Sequence, residues 1–207
     1  MNETPANRSW HLWLYDIILV VVLLAGMYLR LIGLNWDSNQ HLHPDERFLT
    51  MVESALQPMK CAQPALPVEA CPEEQKRWLS LSDYFNTKTS TLNPHNRGYA
   101  FFVYGTLPIF IVRYAAEWLG QIGYDQVDLV GRQLSTIADL GTILLLYFIV
   151  SRLYGRKIGL LAATFSTFAV LQIQQSHFFT VDTFANFFMF LAIYFVVRMG
   201  EEVQKWR

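Results

Sequence analysis

The sequence predicts an all-α membrane protein: four transmembrane helices and a large extracytoplasmic first loop bearing amphipathic juxtamembrane helices. Three observations predict it. The 207 residues are 53% hydrophobic and only 16% charged, whereas charged residues make up about a quarter of an ordinary soluble domain. The apolar residues gather into blocks near the ~20 residues that a ~30 Å hydrocarbon core demands. Between the first block and the others lies a polar stretch with both cysteines and six of the eight prolines: Pro44, Pro58, Pro64, Pro67, Pro72 and Pro94. The formal net charge of −1 leaves no cationic surplus to release counterions from phosphates, which excludes a nucleic-acid partner. The apolar content excludes a disordered chain.

The first span covers Leu12 to Leu34, with an uncharged centre from Ile17 to Leu29. No small-x-small cleavage site follows, and the run exceeds the ~7–15 apolar residues of a signal peptide, so the helix is retained. The second span, Leu134 to Val150, carries Asp139 as its one charge. The third, Ile158 to Ile173, repeats small residues at helical spacing (Gly159 and Ala163, Ala162 and Ser166), as tightly packed membrane helices do. The fourth is Phe184 to Val197, which Phe178 to Thr183 can extend outward.

Tyr99 to Val112 is shorter, contains Pro108 and runs into Arg113 and Glu117. It reads as interfacial, with Tyr99, Tyr104, Tyr114 and Trp118 suited to headgroup level. The link Ser151 to Lys157 holds Arg152, Arg156 and Lys157 and no acid. Short cationic loops are cytoplasmic, and this one is so only if Tyr99 to Val112 does not span. The expected organisation is 1–34 as cytoplasmic N-terminus and first span, 35–133 as extracytoplasmic loop, 134–197 as three further spans, and 198–207 as cytoplasmic tail. The expected location is the plasma (inner) membrane.

Within the loop, Cys61 and Cys71 are the only cysteines and sit where oxidation is permitted, so a disulfide is expected. Closing so short a loop is worth ~2–3 kcal/mol. Pro44-Asp45-Glu46-Arg47 opens a helix, because proline fits the first turn and acids complement the dipole there. Phe48, Leu49, Val52, Leu56 and Met59 then fall near one face, which suggests a helix lying on the membrane surface. Leu66 to Thr91 reads as a polar, mobile stretch.

Asp45 and Glu46 are the first candidates for chemistry. A carboxylate at a helix start near the lipid boundary can take a proton or hold a cation; the alternative is that both are ordinary capping acids. His41, His43 and Asp45 share a face if the segment is extended, and His43 with Asp45 could hold a divalent cation such as zinc or manganese. Asp182 begins the fourth span on the same side as Asp45 and Glu46 in this topology, or else it or Thr180 caps the helix. Asp139 is expected to make an internal polar contact, with Arg30 the suggested partner. Lys88, Arg97 and Arg113 are loop cations able to meet a lipid phosphate, unless each belongs to a solvated face.

These elements together resemble the type C glycosyltransferase superfamily, in its protein O-mannosyltransferase and aminoarabinose-transferase-like branch. The matching residues are Arg30-Leu31-Ile32-Gly33-Leu34, His43-Pro44-Asp45-Glu46-Arg47, Tyr104-Gly105-Thr106-Leu107-Pro108, Gly131-Arg132-Gln133-Leu134-Ser135, Leu153-Tyr154-Gly155-Arg156, and Gln175-Ser176-His177 through Asp182. The resemblance implies transfer of a sugar from a polyprenyl-phosphate donor to an acceptor on the extracytoplasmic side. It implies Asp45 as the base that activates the acceptor, Glu46 as its support and Asp182 as a second acid beside the site. Arg97 and His177 are then set against the lipid phosphate. Members usually carry more spans, so another membrane polypeptide supplying further helices is an expected partner beside membrane lipid. A non-catalytic membrane subunit that uses the same scaffold to bind a protein or lipid is the rival reading. A small transporter is a third, disfavoured by the lack of an inverted repeat.

Overall fold

The computed structural model describes residues 5–63 and 68–205. Pro64, Pro67 and the last two residues of the expected tail lie outside the described residues. The chain is mostly helical and forms two compact units, one from the residues up to Ser38 with those from Arg132 onward, the other from Asn39 to Gly131.

The first unit holds α1 (Pro5–Leu31), most of α5 (Tyr124–Tyr154), α6 (Arg156–Thr167), α7 (Val170–Ser176) and α8 (Val181–Lys205). Among the described residues α1, α5 and α8 are long and apolar enough to cross a membrane, and α6 with α7 makes a fourth candidate if the bent pair counts as one span. The segment expected as the third span is thus bent by 60° between α6 and α7. The second span starts earlier than its hydropathy shows, because the turns from Tyr124 onward are polar yet helical.

Leu19, Val22, Ile143, Tyr147, Leu160 and Ala163 form the apolar centre where α1, α5 and α6 meet. In lipid, apolar burial alone does not hold helices together; close packing and polar contacts do. The small residues serve that end. A Cβ at Gly159 would lie 3.0 Å from the Tyr147 carbonyl oxygen and clash with the Ser151 hydroxyl. The turn that permits this approach is Gly155, whose φ of +89° suits only glycine. The buried side of α6, Gly159, Leu160, Ala163, Ser166 and Thr167, includes three of the four small residues read from the sequence, while Ala162 is only half-buried.

Arg30 is fully buried, and its Nε donates to Asp139 Oδ2 at 2.5 Å. The contact suggested by the sequence is therefore present. Nη1 donates to the carbonyls of Gly26 at 3.2 Å and Thr167 at 3.1 Å. The second of these explains how α6 can stop inside the bundle. A helix end leaves carbonyls without partners, and a guanidinium at the C-terminus satisfies one while complementing the dipole. Arg132, close to Asp139 in sequence, pairs elsewhere: both its terminal nitrogens donate to Asp37 at 3.1 Å, Nη1 also reaches Leu34 O at 2.8 Å, and its guanidinium lies over the Trp36 ring. In the cationic link, Arg152 meets Glu201 at 2.6 Å and Arg156 meets Asp16 at 3.3 Å.

The second unit begins with α2 (Pro44–Ala55), followed by β1 (Met59–Cys61), β2 (Lys76–Trp78), α3 (Leu81–Phe85), α4 (Thr106–Leu119) and the first turns of α5. β1 and β2 pair antiparallel, Met59 opposite Trp78 and Cys61 opposite Lys76. The disulfide Cys61–Cys71 ties this hairpin to the loop it encloses. Leu66 to Thr91, read as a polar, mobile stretch, holds among its described residues β2, α3 and two 3-10 turns, Val68–Ala70 and Glu73–Gln75. α3 starts on a capping box between Ser80 and Asp83. Lys60, donating at 2.6 Å, and Ser80 hold the Asp83 carboxyl well below the usual carboxylate range.

Leu49, Val52, Leu56, Leu92, Ile109, Val112 and Ala116 are buried essentially completely. Each such side chain contributes roughly 1.5–3 kcal/mol in water, alanine less. Two expectations are corrected here. The apolar face of α2 packs on α4 and on the 3-10 turn Pro94–Arg97, so it is not left bare for a membrane surface. The segment Tyr99 to Gly105 is not helical, and α4 begins only at Thr106. Tyr99 and, on α4, Tyr114 are engaged within the unit: Tyr99 Oη donates to Met51 O at 2.8 Å, and Tyr114 stacks on Trp78.

Candidate functional site

The site centres on the first turn of α2. Pro44 pre-sets the helical backbone, and His43 caps it by accepting the Glu46 amide on Nδ1 at 3.3 Å. Asp45 and Glu46 are neighbours on the chain with opposite surroundings. Asp45 is exposed and Glu46 fully buried. The helical period explains this: Glu46, Leu49, Thr50, Val52 and Glu53 share the inward face, and Asp45 falls beside it. Tyr104 Oη donates to Asp45 Oδ1 at 3.1 Å.

His41 does not share a face with His43 and Asp45 as an extended segment would place it. Its φ is +48°, and Ser38 and Asn39 are also in the left-handed region, so the chain coils here. The imidazole is buried, with Nε2 3.0 Å from Asp125 Oδ1 and Nδ1 3.7 Å from Asp128 Oδ2, and Tyr124 packs on its ring. Among the described residues no group of three His, Cys, Asp or Glu side chains could hold a metal ion. Nδ1 of His43 is occupied by its capping bond.

Three of the groups expected to meet a lipid phosphate, Arg97, Arg113 and His177, have structural partners. Arg97 Nε donates to Ala55 O at 2.5 Å and so closes the C-terminus of α2. Arg113 is buried, bonded to Glu117 at 2.5 Å and to Glu53 O at 3.2 Å. His177 has Nδ1 2.8 Å from Ile173 O and Nε2 2.9 Å from Ile32 O, joining α7 to the residue after α1. Asp182 is exposed in the first turn of α8, and the Thr180 hydroxyl before it is buried without a hydrogen-bond partner, so Thr180 does not cap that helix through its side chain.

Glu53, which the sequence reading passed over, is fully buried, and neither carboxyl oxygen has a hydrogen-bond partner. A signal was present: it lies two helical turns after Glu46, on the same face. Burial pushes its carboxyl well above the usual 4.5, and the Arg113 guanidinium offsets only part of this. The unfolded chain therefore releases this proton first as pH rises, so stability is lost from the ordinary carboxylate range upward until the folded group also ionises. Glu53→Gln is expected to flatten that slope. Thermal unfolding in detergent between pH 5 and 8 would read it, and an unchanged slope would show that Glu53 is not the group responsible.

No curated protein and no solved structure is detectably similar to the chain. The family model described as dolichyl-phosphate-mannose-protein mannosyltransferase does match, over residues 110–207. That stretch contains most of α4 and all of α5 to α8, and so includes the Gly131–Ser135, Leu153–Arg156 and Gln175–Asp182 motifs. The Asp45–Glu46 turn precedes it. Residues 110–207 are thus similar to the dolichyl-phosphate-mannose-protein mannosyltransferase family, in agreement with the type C glycosyltransferase superfamily that the motifs resemble.

Proposed function

We propose that the chain acts in a membrane glycosyltransferase that moves a sugar from a polyprenyl-phosphate donor to an acceptor on the extracytoplasmic side. The match of its membrane helices to a mannosyltransferase family carries this reading and favours mannose as the sugar. Asp45 is the proposed general base. It is exposed, at a helix start whose dipole suits an anion, with one oxygen held by Tyr104. The acceptor oxygen forms a bond to the anomeric carbon and its proton passes to Asp45. The bond from that carbon to the phosphate oxygen breaks, and polyprenyl phosphate leaves with the electron pair. Glu46 is proposed to support the turn, and Asp182 to serve as a further acid on the same side of the membrane.

The test is transfer of labelled mannose from polyprenyl phosphate to acceptor in membranes with and without the chain. Loss of transfer on deletion, restored by the chain, supports the reading. Deletion without effect on transfer would favour the non-catalytic subunit.

Sidedness has its own test. Cys61 and Cys71 are both bonded, so a single introduced cysteine reports alone. Phe101 is 80% exposed and Tyr154 71%. An impermeant thiol reagent applied to intact cells is expected to label Phe101→Cys and not Tyr154→Cys. The reverse pattern would put the cationic turn outside.

A further inference from the structure

Resting on Asp45 as the base, we propose that Tyr104 is a positioning residue that selects the working orientation of the Asp45 carboxylate. The two residues are 59 positions apart, so their meeting is a product of the fold. An exposed aspartate in a first helical turn can adopt several rotamers. The phenol at 3.1 Å from Oδ1 favours the one that it can reach and leaves Oδ2 open to receive the acceptor's proton.

The phenol is itself held. Its ring lies 6.0 Å from Phe48 on α2 and 6.0 Å from Phe102. Phe48 also meets Phe102 and, edge-on, Tyr99. The Tyr99 hydroxyl is bonded to the backbone of α2 at Met51. The strap from Tyr99 to Tyr104 is therefore fastened along α2 at both ends. An aromatic cluster is a stiff support, and edge-on ring pairs add attraction beyond the area that they bury. Asp45 and the group that orients it thus ride on the same helix. A base that is free to rotate would reach the reactive geometry only part of the time, and small misplacements are costly in rate.

The test uses the full chain in active membranes. Tyr104→Phe keeps the ring and removes the donor. It is expected to lower kcat about tenfold, with KM for donor and acceptor unchanged and the same thermal midpoint. Replacement of Tyr104 by 3-fluorotyrosine, which keeps both ring and donor, is expected to restore kcat. Because Tyr104 acts through Asp45, Tyr104→Phe combined with Asp45→Asn is expected to be no slower than Asp45→Asn alone. A Tyr104→Phe enzyme with wild-type kcat, or a fluorotyrosine enzyme as slow as Tyr104→Phe, would overturn the proposal while Asp45→Asn stays strongly slowed. Full activity of Asp45→Asn would instead remove the base, and the positioning role with it.

Discussion

Asparagine at position 45 is expected to slow sugar transfer by about 10²–10⁴-fold, the usual effect of losing a general base. The exchange is nearly isosteric. The amide oxygen can still accept the Tyr104 hydroxyl, now bonded to Oδ1 at 3.1 Å, so the strap along α2 should keep its place. What is lost is the proton acceptor. The effect should therefore fall on kcat, with substrate binding and thermal midpoint close to wild type. Glu46 is not expected to take over, because it is fully buried on the inward face of the same turn. Transfer rates in membranes carrying either form decide the matter. Unchanged turnover would take Asp45 out of the mechanism and leave the subunit reading ahead.

The second large effect concerns the membrane helices. Arg30→Met is expected to destabilise the first unit by about 3–5 kcal/mol, the cost of stranding one partner of a buried ion pair. Arg30 and Asp139 are both buried, and the arginine also covers the carbonyls of Gly26 and Thr167. Loss of the cation would leave a carboxylate and a helix end unsatisfied where water is scarce. Arg30→Met with Asp139→Leu removes both charges and should recover much of the loss, because a buried pair is often no better than a well-packed apolar one. Recovery should be incomplete, since the Thr167 carbonyl still lacks its donor. Unfolding in mixed detergent micelles can compare the three forms. A single variant within about 1 kcal/mol of wild type would mean that the pair is relaxed by solvent.

Along the chain, some features are encoded where they occur. The hydrocarbon thickness sets the length of an apolar run, so α1, α5 and α8 show in hydropathy. Pro44 and the acids beside it announce α2 because helix starts act over a single turn. Cys61 and Cys71 had no other cysteine to choose. Arg30 and Asp139 could be matched because a charge within a span needs a partner and few were on offer.

Other features depend on residues brought together from afar. The bend between α6 and α7 leaves carbonyls that Arg30 covers from another helix, and the apolar composition of Ile158 to Ile173 gives no hint of it. The stripe on α2 looked like a membrane-facing surface, yet amphipathicity states only that a face is buried, and its partner here is α4. His41 left the expected line with His43 and Asp45 because its backbone turns left-handed and its ring meets Asp125, far along the chain. Asp45 and Glu46 are adjacent acids that the helical period sets on different sides of α2, and packing decided which side is buried. The phenol of Tyr104 reaches Asp45 because a strap of aromatic rings closes over α2, and no local pattern contains that contact.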